Sequence, residues 1–220
     1  TNQYYTGDEY HFRLGLFLSH CNYIQSYNKR PGLTFRLAVN KFACTTLSEY
    51  KSILGLQFTE NNPNQMQPTP KSHSEVPDSF DWRDKNVVNA IRDQGKCGSC
   101  WSFSAIATSE SAYAISTGNL LTFSEQNLID CTTNCYGCNG GEPNVAINYV
   151  LKHQNGQFNS CNTYPYTGED GKCSFDSKKS IGKITSYISV ERYNENDLKE
   201  KVAQYGVASC CIAAGNIPFM

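Results

Sequence analysis

The chain has 220 residues, of which 39% are hydrophobic, 18% charged and 12% aromatic, and its formal net charge is −1. That composition suits a globular protein with one sizeable domain and an appendage, or two small domains, and excludes a disordered chain. The charge balance gives no field to draw nucleic acid or an anionic membrane, and no stretch reaches the ~18 apolar residues that a membrane span needs.

Eleven cysteines is a more informative number. Such a density fits an oxidising, secretory or vesicular compartment and several disulfides, and an odd count leaves at least one thiol free or paired with another chain. The opening "TNQYYTGDEYHFR" is polar, lacks an initiator Met and has no apolar signal-peptide core. The expectation is therefore a processed chain or one that begins inside a longer gene.

Taken in chain order, "DEYHFRLGLFLSHCNYIQSYNK" carries Phe12, Leu16, Ile24 and Tyr27 among apolar positions at helical spacing and stops before Pro31-Gly32. "LTFRLAVNKF" alternates well enough to predict a strand, and "TLSEYKSILG" predicts a short helix with Gly55 after it. From Thr59 to Ser74 the text is rich in proline and amides, which predicts an extended linker and a domain boundary. Residues 1–75 hold seven basic and five acidic side chains, and residues 76–220 hold twelve and fifteen. The two parts thus differ in sign, although surface charge is a weak glue.

Beyond the linker, "CWSFSAIATSESAYAIST" predicts a helix closed by Gly118. "LTFSEQNLID" offers Thr122 with Glu125 as a capping box, with Ser124 as the rival N-cap. "EPNVAINYVLKHQNG" predicts a helix with Ala146, Tyr149, Val150 and His153 on one face and Gly156 as its terminator. "ENDLKEKVAQYG" predicts another, ended by Gly206, and "VASCCIAA" reads as a buried strand.

The stretch "QGKCGSCWSFSAIA" holds the chemistry. A redox C-x-x-C would need a βαβ surround that is missing. Cys97, Cys100, Cys135 and Cys138 form two C-x-x-C pairs that could close a tetrahedral zinc site. The alternative makes Cys100 a nucleophile, because the first turn of a helix presents unpaired N–H groups and a positive dipole end that favour thiolate. Its own N–H can also meet the oxyanion formed when the sulfur adds to a carbonyl.

"DQGKCGSCWSFSA" resembles the nucleophile region of papain-like cysteine peptidases, in particular the cathepsin L-like branch. The C-G-[SA]-C-[WY] pattern is that family's signature. "VPDSFDWRDKNVVNAIRDQG", with Pro77 and Asp81-Trp82-Arg83, is similar to a mature papain-family start. Phe123-Ser124-Glu125-Gln126, "GCNGG" over 137–141 and "YPY" over 164–166 match further family motifs. The first segment resembles the family's propeptide. Glu9, Arg13, Phe17, His20, Ile24 and Asn28 stand on the pattern E-x3-R-x3-F-x2-N-x3-I-x3-N, five of six identical, and Ala38, Asn40, Phe42 and Cys44 on G-x-N-x-F-x-D.

The resemblance implies an α+β papain-like fold: a helical lobe, a truncated β-rich lobe and a mostly helical propeptide ahead of them. Its divisions would be an inhibitory propeptide over 1–60, an activation linker over 61–75 and a peptidase domain over 76–220. It implies Cys100 as nucleophile and Gln94 as the side-chain donor of the oxyanion hole. Gly98, Trp101, Gly140, Gly141, Glu142 and Cys211 would line the substrate site, and Cys97–Cys138 and Cys131–Cys173 would be disulfides. Cys135 and Cys161 are candidates for a third bridge. Gly141 would pair with an extended substrate through its backbone. Glu142 stands where relatives often have an apolar residue; it is either solvated at the pocket mouth or biases the pocket toward basic or polar side chains. Cys44 replaces the acidic residue of the second propeptide motif, which puts that motif's pH-dependent release in question.

The expected partners are protein or peptide substrates and the chain's own propeptide, in a monomer without cofactor, metal, nucleic acid or membrane span, in an acidic lysosome-like vesicle or secreted. A catalytic His and its Asn are expected about 130–150 residues beyond the nucleophile, past Met220. His11, His20 and His73 precede the mature start, and His153 falls on a helix without a catalytic place. The chain is accordingly expected to be part of a proenzyme and inactive by itself. The competing expectation is a non-catalytic, propeptide-type inhibitor.

Overall fold

A computed structural model describes residues 4–58 and 76–216, so the expected linker over 61–75 and His73 lie outside the described residues. The chain divides into two compact units, Thr1–Leu54 with Ile212–Met220, and Gly55–Cys211. The division thus falls at Leu54/Gly55, ahead of the predicted linker.

In the first unit, α1 spans Gly7–Asn28, with Asp8 and Glu9 in its first turn, where the helix dipole favours negative charge. Its half-buried positions include Arg13, Leu16, Phe17, His20, Ile24, Tyr27 and Asn28, a stripe at three- to four-residue spacing. The stripe is polar as well as apolar, and its polar members tie down the chain that follows. Arg13 Nε donates to Glu9 Oε1 at 2.7 Å, and its two terminal nitrogens donate to the Glu49 carboxylate at 2.6 Å each. Arg13 also donates to the Cys44 carbonyl at 2.9 Å. His20 Nδ1 lies 2.8 Å from the Ala43 carbonyl oxygen.

Residues 33–40 form no strand, contrary to the alternation of "LTFRLAVNKF". One side chain takes the place of a neighbouring strand: Asn28 Nδ2 donates to the Leu37 carbonyl and Asn28 Oδ1 accepts from Leu37 N–H, both at 2.8 Å. Helix α2, Leu47–Ser52, begins at a reciprocal capping box between Thr46 and Glu49, and Phe42 meets Tyr50 edge-on at 5.2 Å.

The second unit is organised around α3, Cys100–Thr117, which ends where Gly118 takes φ 75°. Helix α4, Glu125–Cys131, starts from Ser124, whose hydroxyl accepts from Asn127 N–H at 3.0 Å; the Thr122 capping box does not form. Helix α5, Pro143–His153, opens on a proline and buries Ala146, Ile147 and Val150. Tyr149 is half-buried and His153 exposed, and their rings lie against each other with centroids 4.7 Å apart. The short strands β1 (Gln157–Asn159) and β2 (Ser180–Lys183) pair antiparallel. Phe158 of β1 stacks on Phe123 at 4.7 Å and 7°, which makes the aromatic centre of the core. Helix α6, Glu195–Tyr205, is capped by Asn194, and Trp82 Nε1 donates to the Val202 carbonyl at 2.7 Å. The predicted buried strand "VASCCIAA" is instead irregular and mostly exposed, with no partner strand among the described residues.

A charge cluster braces α3 from within. Glu110, 1% exposed, accepts from Arg92 Nη2 at 2.8 Å, Asn89 Nδ2 at 3.0 Å and Phe123 N–H at 2.7 Å. Arg92 Nη1 also lies 2.6 Å from Glu125 Oε1 as an ion pair. Two buried carboxylates therefore share one guanidinium, and burial pushes both above the ordinary carboxylate range despite Arg92.

Two outcomes follow from these ion pairs. Because its folded carboxyls titrate above the unfolded ones, the Glu110–Glu125 cluster costs stability as pH rises through the window above about 4.5. Arg92→Met is expected to destabilise the chain by about 3 kcal/mol at neutral pH, and by less toward pH 5, in urea unfolding. In the first unit, hydrogen bonds from Arg13, then from Thr46, lower Glu49 to about 2. Its contribution is present above about pH 4.5 and is lost as pH falls toward 2. The pair is half-exposed and solvent-screened, so Glu49→Gln should remove about 1 kcal/mol or less above that window and flatten the acid limb of a thermal-unfolding profile.

Candidate active site

The loop before α3 is fixed from two sides. A disulfide joins Cys97 to Cys138, and Gly98 N–H donates to the Cys138 carbonyl at 2.8 Å. The chain then turns at Ser99 and enters α3 at Cys100, a free, partly buried thiol at the first helical residue. N–H groups of the first helical turn have no intrahelical acceptor, so donors converge near the sulfur. Gln94 stands six residues earlier, and its side-chain nitrogen donates to the Cys97 carbonyl at 2.8 Å.

Tyr166 connects these pieces. Its hydroxyl donates to the Gln94 carbonyl at 2.6 Å and lies 2.9 Å from Ser99 Oγ, which leaves the Ser99 hydroxyl as donor to it. The ring packs edge-on against Phe103 at 5.0 Å, and burial raises the phenol's pKa. The sequence pattern "YPY" marked this residue without assigning it a role. Asp170, whose Oδ1 accepts from Cys138 N–H at 2.6 Å, was missed, because a lone aspartate carries no distinctive signal in a single sequence.

Trp101, expected among the substrate-lining residues, is 1% exposed with residues 55–57 laid over Gly141, and its Nε1 donates to the Gly137 carbonyl at 3.1 Å. It lies beneath Gly141, where any added Cβ would fall 2.8 Å from Trp101 Cδ2 and 2.7 Å from Cys135 Sγ.

Gly141 is already engaged as a strand edge. Its N–H donates to the Gly55 carbonyl at 2.8 Å and its carbonyl accepts from Gln57 N–H at 3.1 Å, a parallel bridge centred on Leu56. Gln57 Nε2 adds a bond to the Asn139 carbonyl at 2.6 Å. The approach is close where glycine meets glycine, at Gly55 against Gly98 and Gly140. A Cβ on Gly55 would sit 1.7 Å from the Gly98 carbonyl oxygen, and one on Gly140, at φ 121°, would sit 2.8 Å from the Gly55 oxygen.

Beside this edge lies a cavity of about 620 Å³, lined by apolar residues including Ile147, Tyr187 and Val207, with Phe58, Glu142 and Cys211 among its other walls. Cys211 reaches it from irregular chain rather than from the expected strand. Burial raises the thiols of Cys135 and Cys211 and the phenol of Tyr187, and the Glu142 charge adds to each shift.

A second disulfide joins Cys131 to Cys173. Cys135 and Cys161 are both free thiols, so the third bridge is not formed. The Cys135 sulfur faces the Glu142 carbonyl at 4.0 Å, and the Cys161 sulfur faces the Asn162 side chain at 3.8 Å. The zinc alternative fails for a related reason: Cys97 and Cys138, two of its four ligands, are bonded to each other. Around the second bridge, Tyr164 OH donates to Asp130 Oδ2 at 2.7 Å, and Gln126 Nε2 donates to the Glu169 carbonyl at 2.7 Å. The three described histidines are occupied elsewhere: His11 against Tyr10, His20 at the Ala43 carbonyl and His153 against Tyr149.

Comparison with known proteins agrees with this geometry. Residues 76–220 match the papain family cysteine protease domain, and residues 1–50 match the cathepsin propeptide inhibitor domain. Ananain from Ananas comosus is 35% identical over 97% of this chain and 62% of its own length. Cysteine proteinase 2 from Dictyostelium discoideum is 36% identical over 99% of this chain and 59% of its own. The chain thus spans about three fifths of these relatives. Digestive procathepsin L2 from Tenebrio molitor larval midgut superposes with a TM-score of 0.86 at 32% identity, covering 93% of this chain and 69% of that one. A thiol at the head of α3, a backbone strand edge at Gly141 and two matching domains in series establish that the chain belongs to the papain family of cysteine proteases.

Proposed function

We propose that the full-length protein is a cysteine endopeptidase made as a zymogen, with Cys100 as its nucleophile. The observation that carries this reading is a free thiol opening α3 beside a Gly141 edge already paired with residues 55–57 of the same chain. Thiolate attack on a peptide carbonyl forms a tetrahedral oxyanion, which the Cys100 N–H and the Gln94 side chain stabilise. For the latter, the Gln94 amide must present a hydrogen to the oxyanion while it holds the Cys97 carbonyl. Collapse expels the amine, which takes a proton from an imidazole partner, and water then hydrolyses the thioester. The three described histidines are held against Tyr10, the Ala43 carbonyl and Tyr149, and none of them is assigned this role.

The first 60 residues serve as an intramolecular inhibitor. The parallel direction of the pairing at Gly141 supports a segment that lies in the cleft opposite to a substrate and is bound without being cut. Residues 76–220 form the peptidase domain, and the stretch over 61–75 is where activation cleaves. A pair of disulfides suits an acidic vesicle or secretion, and among the described residues no helix is long and apolar enough to cross a membrane.

The 220-residue chain is expected to show no turnover of a fluorogenic dipeptide substrate, while iodoacetamide alkylates Cys100. Turnover that disappears in Cys100→Ala would overturn the expectation of inactivity, and a Cys100 that resists alkylation would overturn its role as nucleophile. Tyr166 is a positioning residue in this scheme. Tyr166→Phe keeps the ring on Phe103 but strands the Gln94 carbonyl and the Ser99 hydroxyl, at a cost of about 1–3 kcal/mol in urea unfolding. The alkylation rate of Cys100 should change in the same variant, which a purely structural loss elsewhere would not cause.

A further inference from the structure

Seven thiols are free, and the sequence places two of them together at Cys210-Cys211. The path of the chain that carries them can be followed along α3. At Gly206 an added side chain would meet Ile115 Cδ1 at 2.9 Å and Ser111 Oγ at 3.8 Å, so the segment starts against the C-terminal half of the helix. Three residues later, Ser209 Oγ is hydrogen-bonded to Ser104 Oγ at 2.6 Å. The segment therefore runs antiparallel to α3, toward its first turn.

Extending both elements by the same stride carries Cys211 toward Cys100, whose charge reaches the Cys211 thiol. Ser104 and Cys100 are four residues apart on one helical face, about 6 Å along the axis. Ser209 and Cys211 are two residues apart, a reach of at most about 7 Å, and alternate side chains of an extended chain share a side. Cys210 projects to the other side, and its sulfur faces the Ala208 carbonyl at 3.9 Å.

We propose that Cys211 is a resolving thiol for Cys100, so that a hydroperoxide converts the pair into a reversible disulfide. The Cys100 thiolate attacks the peroxide: an S–O bond forms, the O–O bond breaks, and the leaving oxygen takes up the proton that Cys100 gave to solvent on ionising, so that the peroxide departs as an alcohol or, for hydrogen peroxide, as water. The Cys211 sulfur then attacks the sulfenic sulfur of Cys100. An S–S bond forms, the S–O bond breaks, and the departing hydroxide takes the Cys211 proton as water. In sum, two thiols lose two electrons and two protons, and the peroxide is reduced. Partial burial, then the neighbouring Cys100, raises the Cys211 thiol, which favours its protonated form. The disulfide protects Cys100 from the irreversible sulfinic and sulfonic acids.

This inference rests on Cys100 being nucleophilic, as in the proposed function, but its test reads thiol chemistry rather than peptide hydrolysis. The folded chain is treated with stoichiometric hydrogen peroxide, blocked with iodoacetamide, digested without reduction and mapped by mass spectrometry. A peptide pair linked through Cys100 and Cys211 is expected, with loss of Cys100 alkylation that dithiothreitol restores. Cys211→Ser should drive Cys100 to sulfinic and sulfonic acids that dithiothreitol does not recover, and Cys210→Ser should leave the link intact. Both substitutions fall on exposed residues. A link from Cys100 to another thiol, or equal sulfinic yield with and without Cys211, overturns the proposal. If Cys100 of the untreated chain resists iodoacetamide, the nucleophile reading beneath it falls as well; if it alkylates but never cross-links, this proposal alone fails.

Discussion

The bond between Cys97 and Cys138 is the constraint on which the rest of the second unit depends. It fixes a loop that has no secondary structure of its own three residues before the nucleophile, and Gly98 repeats the same connection through its backbone. A short tether of this kind sets where α3 begins, and the start of a helix determines which thiol meets unpaired N–H groups. The other end of the bridge leads within three residues to Gly141. Sulfur, helix start and strand edge are thus held to one another through a few covalent bonds rather than through distant packing. Trp101 then fills the space beneath, its indole bonded to Gly137, so the edge rests on a dry aromatic floor.

A second layer of polar groups keeps the frame from shifting. Tyr166 binds the loop before the nucleophile to Ser99, the residue that precedes α3, and Ser124 Oγ donates to the Tyr164 carbonyl at 2.6 Å. Arg92 reaches into the same region with two carboxylates around it. These groups are buried and densely hydrogen-bonded, an arrangement that favours a single geometry over maximal stability.

Most of this order was legible in the residues wherever a local rule decides. The lengths of α1, α3 and α6 follow from periodicity and from their glycine or proline stops, and α2 follows from its Thr46–Glu49 box. Reading failed where a distant partner decides. "LTFRLAVNKF" has the alternation of a strand, but Asn28 satisfies Leu37 so that no ladder is needed. Ser124 outcompetes Thr122 as a cap because its hydroxyl is also held by the Tyr164 carbonyl. Trp101 is buried beneath Gly141, a depth that no local pattern in the residues reveals. The cysteine motif made Cys100 legible, whereas no local pattern marks Tyr166 as the link between Gln94 and Ser99.

Where Gly55 crosses Gly98 and Gly140 the contact is glycine against glycine, with peptide groups in direct contact. Apart from the Gln57 side chain on the Asn139 carbonyl, such a seam recognises the shape of a backbone rather than its letters. The neighbouring cavity can therefore drift in size or charge through Glu142 and its surroundings while self-recognition at the seam persists unaltered. Appetite for new substrates and restraint before activation can evolve on separate tracks.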